Sequence, residues 1–222
     1  MKQQDERHSL LKGWNSPPNL VTYTRILLVL VFVGLDLSAG KWGGGSVSRR
    51  FWAAVLFIVA ASTDKLDGWM ARKYNQITEL GKLMDPIADK LLICSTLVVA
   101  SVFHELSWWV TALFLVREIG ITLMRFFVID AGGTVIAASK AGKYKTFAEC
   151  IGLGMLLMPM WALAPGRPLP GILPHLGAGA PLWWSTYYWA TYVVIGLALV
   201  LCLYSGCTYV YAVATSRGSA RD

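Results

Sequence analysis

Charge is scarce in this 222-residue chain: Asp, Glu, Lys and Arg make up 15% of it, against about 25% in an ordinary soluble domain. That shortage, beside 55% hydrophobic residues, argues against an ordinary soluble domain and predicts an integral membrane protein. The hydrophilic start, residues 1–18, has no short apolar core followed by a small-residue cleavage site, so no signal peptide is expected. Cysteine and histidine are also few. Cys94, Cys150, Cys202 and Cys207 sit in apolar runs without zinc-type or thioredoxin-type spacing, and read as small buried hydrophobes. His8, His104 and His175 have no second ligand at helical spacing, which leaves them without assigned chemistry.

What the chain does have is apolar length. A spanning helix needs about 20 mostly apolar residues, and six stretches qualify: Leu20–Leu37, Phe51–Met70, Met84–Phe103, Ser107–Ile129, Phe147–Leu163 and Leu182–Ala214. The last is long for a single crossing, so it is expected to tilt or project beyond the bilayer. Ten Trp and nine Tyr suit helix ends at the headgroup level. Lys and Arg then set the orientation. One set of connections carries fourteen of them and the other carries four, which puts both termini on the cytoplasmic side of the inner (plasma) membrane. The expected organisation is an N-terminal segment 1–18, read equally as an interfacial helix over His8–Trp14 ended by Pro17-Pro18 or as a disordered tail, then a six-helix domain 19–214 and a cytoplasmic tail 215–222. The outer connections, Gly43-Gly44-Gly45 and Pro165–Pro181, read as passive loops. The basic excess is absorbed by this membrane topology, and no nucleic-acid partner is expected.

Against that background, Thr63–Lys90 stands out because it places Asp64, Asp67, Asp85 and Asp89 at the edge of two spans, where charge is costly. Asp64 and Asp67 are three residues apart and Asp85 and Asp89 four apart, so on helices each pair shares a face. Four carboxylates in a small volume cannot all ionise without cations. An all-oxygen donor set with no Cys or His nearby selects Mg²⁺ or Mn²⁺ over zinc or copper, and two such ions suit a substrate with a di- or polyphosphate. Gly68, Ala71 and Gly81 permit close approach, and Arg72 is placed for a phosphate or headgroup.

The stretch reads D-x-x-D-G-x-x-A-R, eight residues, then G-x-x-x-D-x-x-x-D. It resembles the signature of the CDP-alcohol phosphotransferase family, with every motif position filled: Asp64, Asp67, Gly68, Ala71, Arg72, Gly81, Asp85 and Asp89. The resemblance implies transfer of a substituted phosphate from a CDP-linked donor to an alcohol, with release of CMP. It also implies two divalent ions on Asp64, Asp67 and Asp85, with Asp85 bridging, Asp89 completing the set as general base, and a homodimer. Gly68, Ala71, Arg72 and Gly81 would line the CDP moiety together with Asp67, with Thr78 at a position that contacts the donor.

Three further stretches, "PNLVTYTR", "REIGITLMR" and "GKYKT", resemble the branch of the family that makes phosphatidylglycerol phosphate. That branch takes CDP-diacylglycerol as donor and sn-glycerol 3-phosphate as acceptor, with membrane lipids around it. By resemblance, Asn19, Thr22 and Arg25, on one helical face, contact the nucleotide; capping is an equal local explanation for Asn19. Arg117, Arg125, Lys140, Lys143 and Lys145 form a basic set suited to an acceptor that carries its own phosphate, with positive-inside anchoring as the competing explanation, strongest for Arg125 and Lys140. Two other readings stay open here. One keeps the fold and donor with inositol phosphate, inositol, serine or a phospholipid as acceptor; the other is an ion transporter, since intramembrane carboxylates mark ion pathways.

Overall fold

The computed structural model describes residues 17–74, 79–130, 140–163 and 182–218, without the side chains of 17, 18, 64–74, 79–83, 85, 86, 89, 126, 129, 130, 140, 141 and 216–218. Among the described residues all regular structure is helical. The described residues form six α-helices: α1 (Pro17–Ala39), α2 (Val47–Tyr74), α3 (Glu79–Val102), α4 (Trp108–Asp130), α5 (Lys140–Leu157) and α6 (Leu182–Gly218). Short 3-10 turns occupy Lys41–Gly43 and Met160–Leu163. Five of the apolar stretches expected from the sequence each fall on one helix, whereas Phe147–Leu163 runs past the end of α5 at Leu157 into the second 3-10 turn. The expected interfacial helix, the Pro165–Pro181 loop and the end of the C-terminal tail lie outside the described residues.

Pro17 and Pro18 open α1 instead of only breaking what precedes it. Their missing N–H groups fall in the first turn, where a helix has no intrahelical acceptor for them. By length and composition, Asn19–Ala39 and Leu182–Thr215 are each long and apolar enough to cross a membrane, and Lys90–Val102 is a shorter apolar segment. The other helices give part of their length to charge: α2 ends in the aspartate motif, α3 begins in it, and α5 starts Lys-Ala-Gly-Lys-Tyr-Lys. The 37 residues of α6 extend about 55 Å, well beyond a hydrocarbon core of about 30 Å.

The described residues form two compact units. The first holds α1, α2, α3 as far as Val99, and Leu157–Pro159; the second holds Ala100–Leu156 and the chain from Met160 onward. In the first unit α1 packs along α2, and its amphipathic sense is inverted. Asn19, Thr22, Arg25, Val29, Phe32, Asp36 and Ala39 are buried at steps of three and four, whereas Leu20, Leu27, Leu30, Val31 and Leu37 face outward. Water would not sustain such an apolar outer face, but lipid does. On α2, Ala53, Ala54 and Ala60 are fully buried and keep the helices close, with Phe57 set against Phe32 at 5.8 Å between ring centroids.

The α1–α2 connection is built, contrary to its reading as a passive loop. Gly43 has φ +74°, and a Cβ there would lie 2.7 Å from Cβ of Arg50, so the turn closes only around glycine. Arg50 is thereby seated in the core. Its Nη1 donates to Oδ1 of Asp36 at 2.6 Å and its Nε to the carbonyl of Leu157 at 3.0 Å, and both ionised side chains are 1% exposed.

The second unit is organised along α6. Trp184, Thr191, Ile195, Ala198, Cys202, Ser205, Tyr209 and Val213 form its buried stripe, with Val193, Leu197, Val200, Tyr204 and Tyr211 turned outward. Gly152 of α5 lets Ile195 approach so closely that a Cβ would meet its Cγ1 at 2.8 Å. Tyr187 donates to the carbonyl of Met155 at 2.7 Å, and Tyr192 to that of Glu105 at 2.6 Å. His104 takes a left-handed φ of 55°, after which Glu105 N–H bonds the carbonyl of Ala100 at 2.8 Å and ends α3. The cysteines are less uniform than expected: only Cys202 is buried, Cys94 and Cys150 are half-buried, and Cys207 is exposed, because α6 rotates Cys207 onto its outer face.

Removing one partner of the Asp36–Arg50 pair strands a buried charge. Arg50→Leu is therefore expected to cost about 3–5 kcal/mol, read as a fall in the unfolding midpoint of purified protein in detergent. Adding Asp36→Leu to it should return most of that loss, whereas independent effects would add.

Candidate active site

The aspartate motif straddles two helices of the first unit. Asp64 and Asp67 lie in the second half of α2, and Asp85 and Asp89 in the first half of α3, so the helical spacing assumed for each pair holds for the backbone. Their side chains, and those of Gly68, Ala71, Arg72 and Gly81, lie outside the described residues, as does Thr78 altogether. Among the described residues, no three His, Cys, Asp or Glu come together to hold a metal. The chemistry of the motif's donor set nonetheless fits a hard divalent cation: four carboxylates on helical backbone, without nitrogen or sulfur ligands among them.

Asn19, Thr22 and Arg25 do share one face, as their spacing predicts, and all three are buried at 1% exposure. Arg25 donates its Nε to Oγ1 of Thr63 at 3.4 Å, and Thr63 in turn donates to the carbonyl of Ala60 at 2.8 Å. This contact fixes the polar face of α1 against α2 at the residue immediately before Asp64. A buried guanidinium is favourable only beside acceptors and negative charge, and the chain supplies aspartates from the next position on.

The second unit brings together some of the basic set and separates the rest. Arg117 donates Nη1 to Oε1 of Glu118 at 2.8 Å and Nη2 to Oγ of Ser205 at 2.7 Å. Lys145 donates to the same Oε1 of Glu118, and its Nζ lies 2.6 Å from Oε2 of Glu149, one turn along α5. Arg125 instead stacks its guanidinium over the ring of Tyr209, 5.4 Å from the centroid. Lys143 is exposed, and the side chain of Lys140 lies outside the described residues.

Burial works against the charge of Lys145, but Glu149 and Glu118 outweigh it and raise its pKa above the ordinary lysine value. Lys145 stays protonated at neutral pH. Several buried polar atoms keep no hydrogen-bond partner among the described residues: Nε of Arg117, Nε of Arg125, Oε1 of Glu149 and the hydroxyl of Tyr209. The orphaned arginine and tyrosine donors suit an oxygen-rich anion, whereas the Glu149 oxygen is an acceptor.

Sequence reasoning missed Glu118, Glu149, Ser205 and Tyr209. Glu149 carries a readable signal, since it lies four residues after Lys145. Ser205 and Tyr209 carry none, being separated from their partners by 88 and 84 residues within a uniformly apolar helix.

A family model for CDP-alcohol phosphatidyltransferase matches residues 15–204. The chain belongs to the CDP-alcohol phosphatidyltransferase family, a family of membrane-embedded transferases of phospholipid biosynthesis. It is 44% identical over 143 residues to the "Probable phosphatidylglycerophosphate synthase" of Mycobacterium tuberculosis (strain H37Rv), covering 64% of this chain and 66% of that protein. The match thus spans a little under two thirds of that relative's length. It is 37% identical over 147 residues to the CDP-diacylglycerol–glycerol-3-phosphate 3-phosphatidyltransferase of Bacillus subtilis (strain 168), covering 64% of this chain and 76% of the relative. The enzyme of that name from Escherichia coli (strain K12) is 38% identical over 144 residues, 63% of this chain and 75% of the relative.

The cation network has a structural side that stability measures directly. Lys145→Leu leaves the Glu149 carboxylate buried without its cation, and is expected to cost about 3–5 kcal/mol. Guanidinium or thermal unfolding in detergent checks it; an unchanged midpoint would contradict the pairing.

Proposed function

We propose that this chain is a phosphatidylglycerophosphate synthase, which transfers the phosphatidyl group of CDP-diacylglycerol to sn-glycerol 3-phosphate and yields phosphatidylglycerol phosphate and CMP. The observation that carries this reading is the complete eight-position motif within a chain 37–44% identical to proteins of that description. The inverted amphipathic helices support a site embedded in the inner membrane. There the acyl chains of the donor lie in the leaflet, its pyrophosphate lies at the cytoplasmic surface, and glycerol 3-phosphate enters from the cytosol. Six crossings, both termini cytoplasmic and a homodimer complete the reading, supported by the Lys and Arg distribution and the family resemblance.

Asp64, Asp67, Asp85 and Asp89 would hold two Mg²⁺ or Mn²⁺ ions. When bound, these ions supply positive charge for the pyrophosphate and the departing CMP. Asp67, Gly68, Ala71, Arg72, Thr78 and Gly81 would take the CDP moiety, with Asn19, Thr22 and Arg25 securing it from α1. Asp89 accepts the proton of the acceptor hydroxyl, because an alcohol is a poor nucleophile at neutral pH until a carboxylate within hydrogen-bond reach removes that proton. The oxygen attacks the donor's β-phosphorus, which carries the diacylglycerol; its bond to the bridging oxygen breaks and CMP leaves. No covalent enzyme intermediate is required. Arg117, Arg125, Lys140, Lys143 and Lys145 are the candidates for the acceptor's phosphate.

Asp89→Asn is expected to lower CMP release by at least about 10³-fold, with CDP-diacylglycerol binding retained; near-normal turnover would overturn the base assignment. A panel of glycerol 3-phosphate, inositol phosphate, inositol and serine, each with CDP-diacylglycerol and Mn²⁺, tests the acceptor. CMP release with glycerol 3-phosphate is the expected result, and its absence with release on another alcohol would move the protein to a different branch. Ion flux in liposomes without CMP release would favour a transporter.

A further inference from the structure

The two cations at the heart of the second unit meet on a single atom. Oε1 of Glu118 receives both Nη1 of Arg117 and Nζ of Lys145. Arg117 comes from α4 and Lys145 from α5, so nothing local in the chain brings them together. Each is also tied from its far side: Arg117 by Ser205 of α6 at 2.7 Å, and Lys145 by Glu149 at 2.6 Å. The geometry points to Glu118 as a positioning residue that makes Arg117 and Lys145 converge on the acceptor's phosphate, and so sets the preference for a phosphorylated alcohol. This inference deepens the function proposed above and rests on it.

Three features of the site argue for that role over a plain stabilising ion pair. First, Glu118 contributes one carboxylate oxygen to two cations, which holds them within reach of one small anion. Second, the contacts leave Nε of Arg117 buried and without a hydrogen-bond partner among the described residues, so a donor remains for an incoming oxygen. Third, the two carboxylates differ in access. The Glu149 side chain is 1% exposed and Glu118 12%, so Glu149 serves as a buried anchor, while Glu118 keeps some access from outside. Gly206 of α6 fits the same design: a Cβ there would lie 3.3 Å from Cγ of Arg117, so glycine makes room for the arginine stem against α6.

The chemistry predicts a specificity effect. Each cation already faces a carboxylate, which tempers its pull on anions at random. Recognition then depends on geometry, in which a tetrahedral phosphate engages convergent donors that a neutral hydroxyl group cannot satisfy. Neutralising Glu118 keeps both cations but removes what makes them converge.

The test uses the full-length protein in lipid nanodiscs with Mn²⁺, measuring initial rates of CMP release while each substrate is varied in turn. Glu118→Gln is expected to raise KM for glycerol 3-phosphate by at least about tenfold, with KM for CDP-diacylglycerol moving less than about twofold. Glu118→Asp, which keeps the charge on a shorter arm, should recover part of the loss. An unchanged KM for glycerol 3-phosphate in Glu118→Gln overturns the inference and leaves the proposed function standing. So does a loss shared by both substrates together with a lower unfolding midpoint, since that marks a structural role. If the wild-type protein ignores glycerol 3-phosphate and uses a phosphate-free alcohol, the proposed function itself fails, and this inference falls with it.

Discussion

Charge withdrawn from water must be cancelled within a few ångströms, and the described helices are arranged around that requirement. Burial of an ionised group costs several kcal/mol after relaxation, so each buried ion has to be tied to a counter-ion or to hydrogen-bond partners. Asp36 meets Arg50, Lys145 meets Glu118 and Glu149, and Arg117 meets Glu118 and Ser205. The apolar side chains are released to the outer surface. Along α1 the inversion is complete enough that the helix buries Asn19, Thr22, Arg25 and Asp36 while exposing five large aliphatic residues. A soluble helix with this arrangement would gain little from folding. In lipid, the polar stripe is what directs helix to helix, because apolar contact alone does not distinguish a neighbour from a lipid tail.

The elements were largely legible in the chain. Long apolar runs marked all six helices, and the two aspartate spacings marked the motif, because both are local properties of sequence. The connection between α1 and α2 was not legible as a folded turn. Three consecutive glycines suggest a slack loop, and only the approach of Arg50 to Gly43 explains why glycine is needed there. The cation network was half legible. Arg117 and Lys145 drew notice as charges, but the carboxylates between them did not, since Glu118 neighbours Arg117 in sequence yet draws its meaning from Lys145, 27 residues away. Ser205 and Tyr209 were invisible because α6 is apolar almost throughout and offers no polar face whose spacing could reveal its inward side.

The residues assigned to the two substrates fall on different parts of the fold. Every motif position, with Asn19, Thr22 and Arg25, belongs to the first unit, whereas Arg117, Arg125, Lys143 and Lys145 belong to the second. On the function proposed, changes in α4, α5 or α6 would alter which alcohol is accepted without touching the carboxylates proposed to serve the nucleotide-linked donor. This separation gives a physical route by which one helical frame and one metal-type motif serve several alcohols.

The Asp36–Arg50 pair also bears on how the chain enters its membrane. The two residues are only 14 apart, and loop closure over so short a stretch carries a small entropic cost. The pair can therefore close within one hairpin, with no need of a distant helix to offer the counter-charge. It cancels the two buried charges of the hairpin against each other. Such a hairpin can partition into the bilayer as a unit, with neither ion facing hydrocarbon alone.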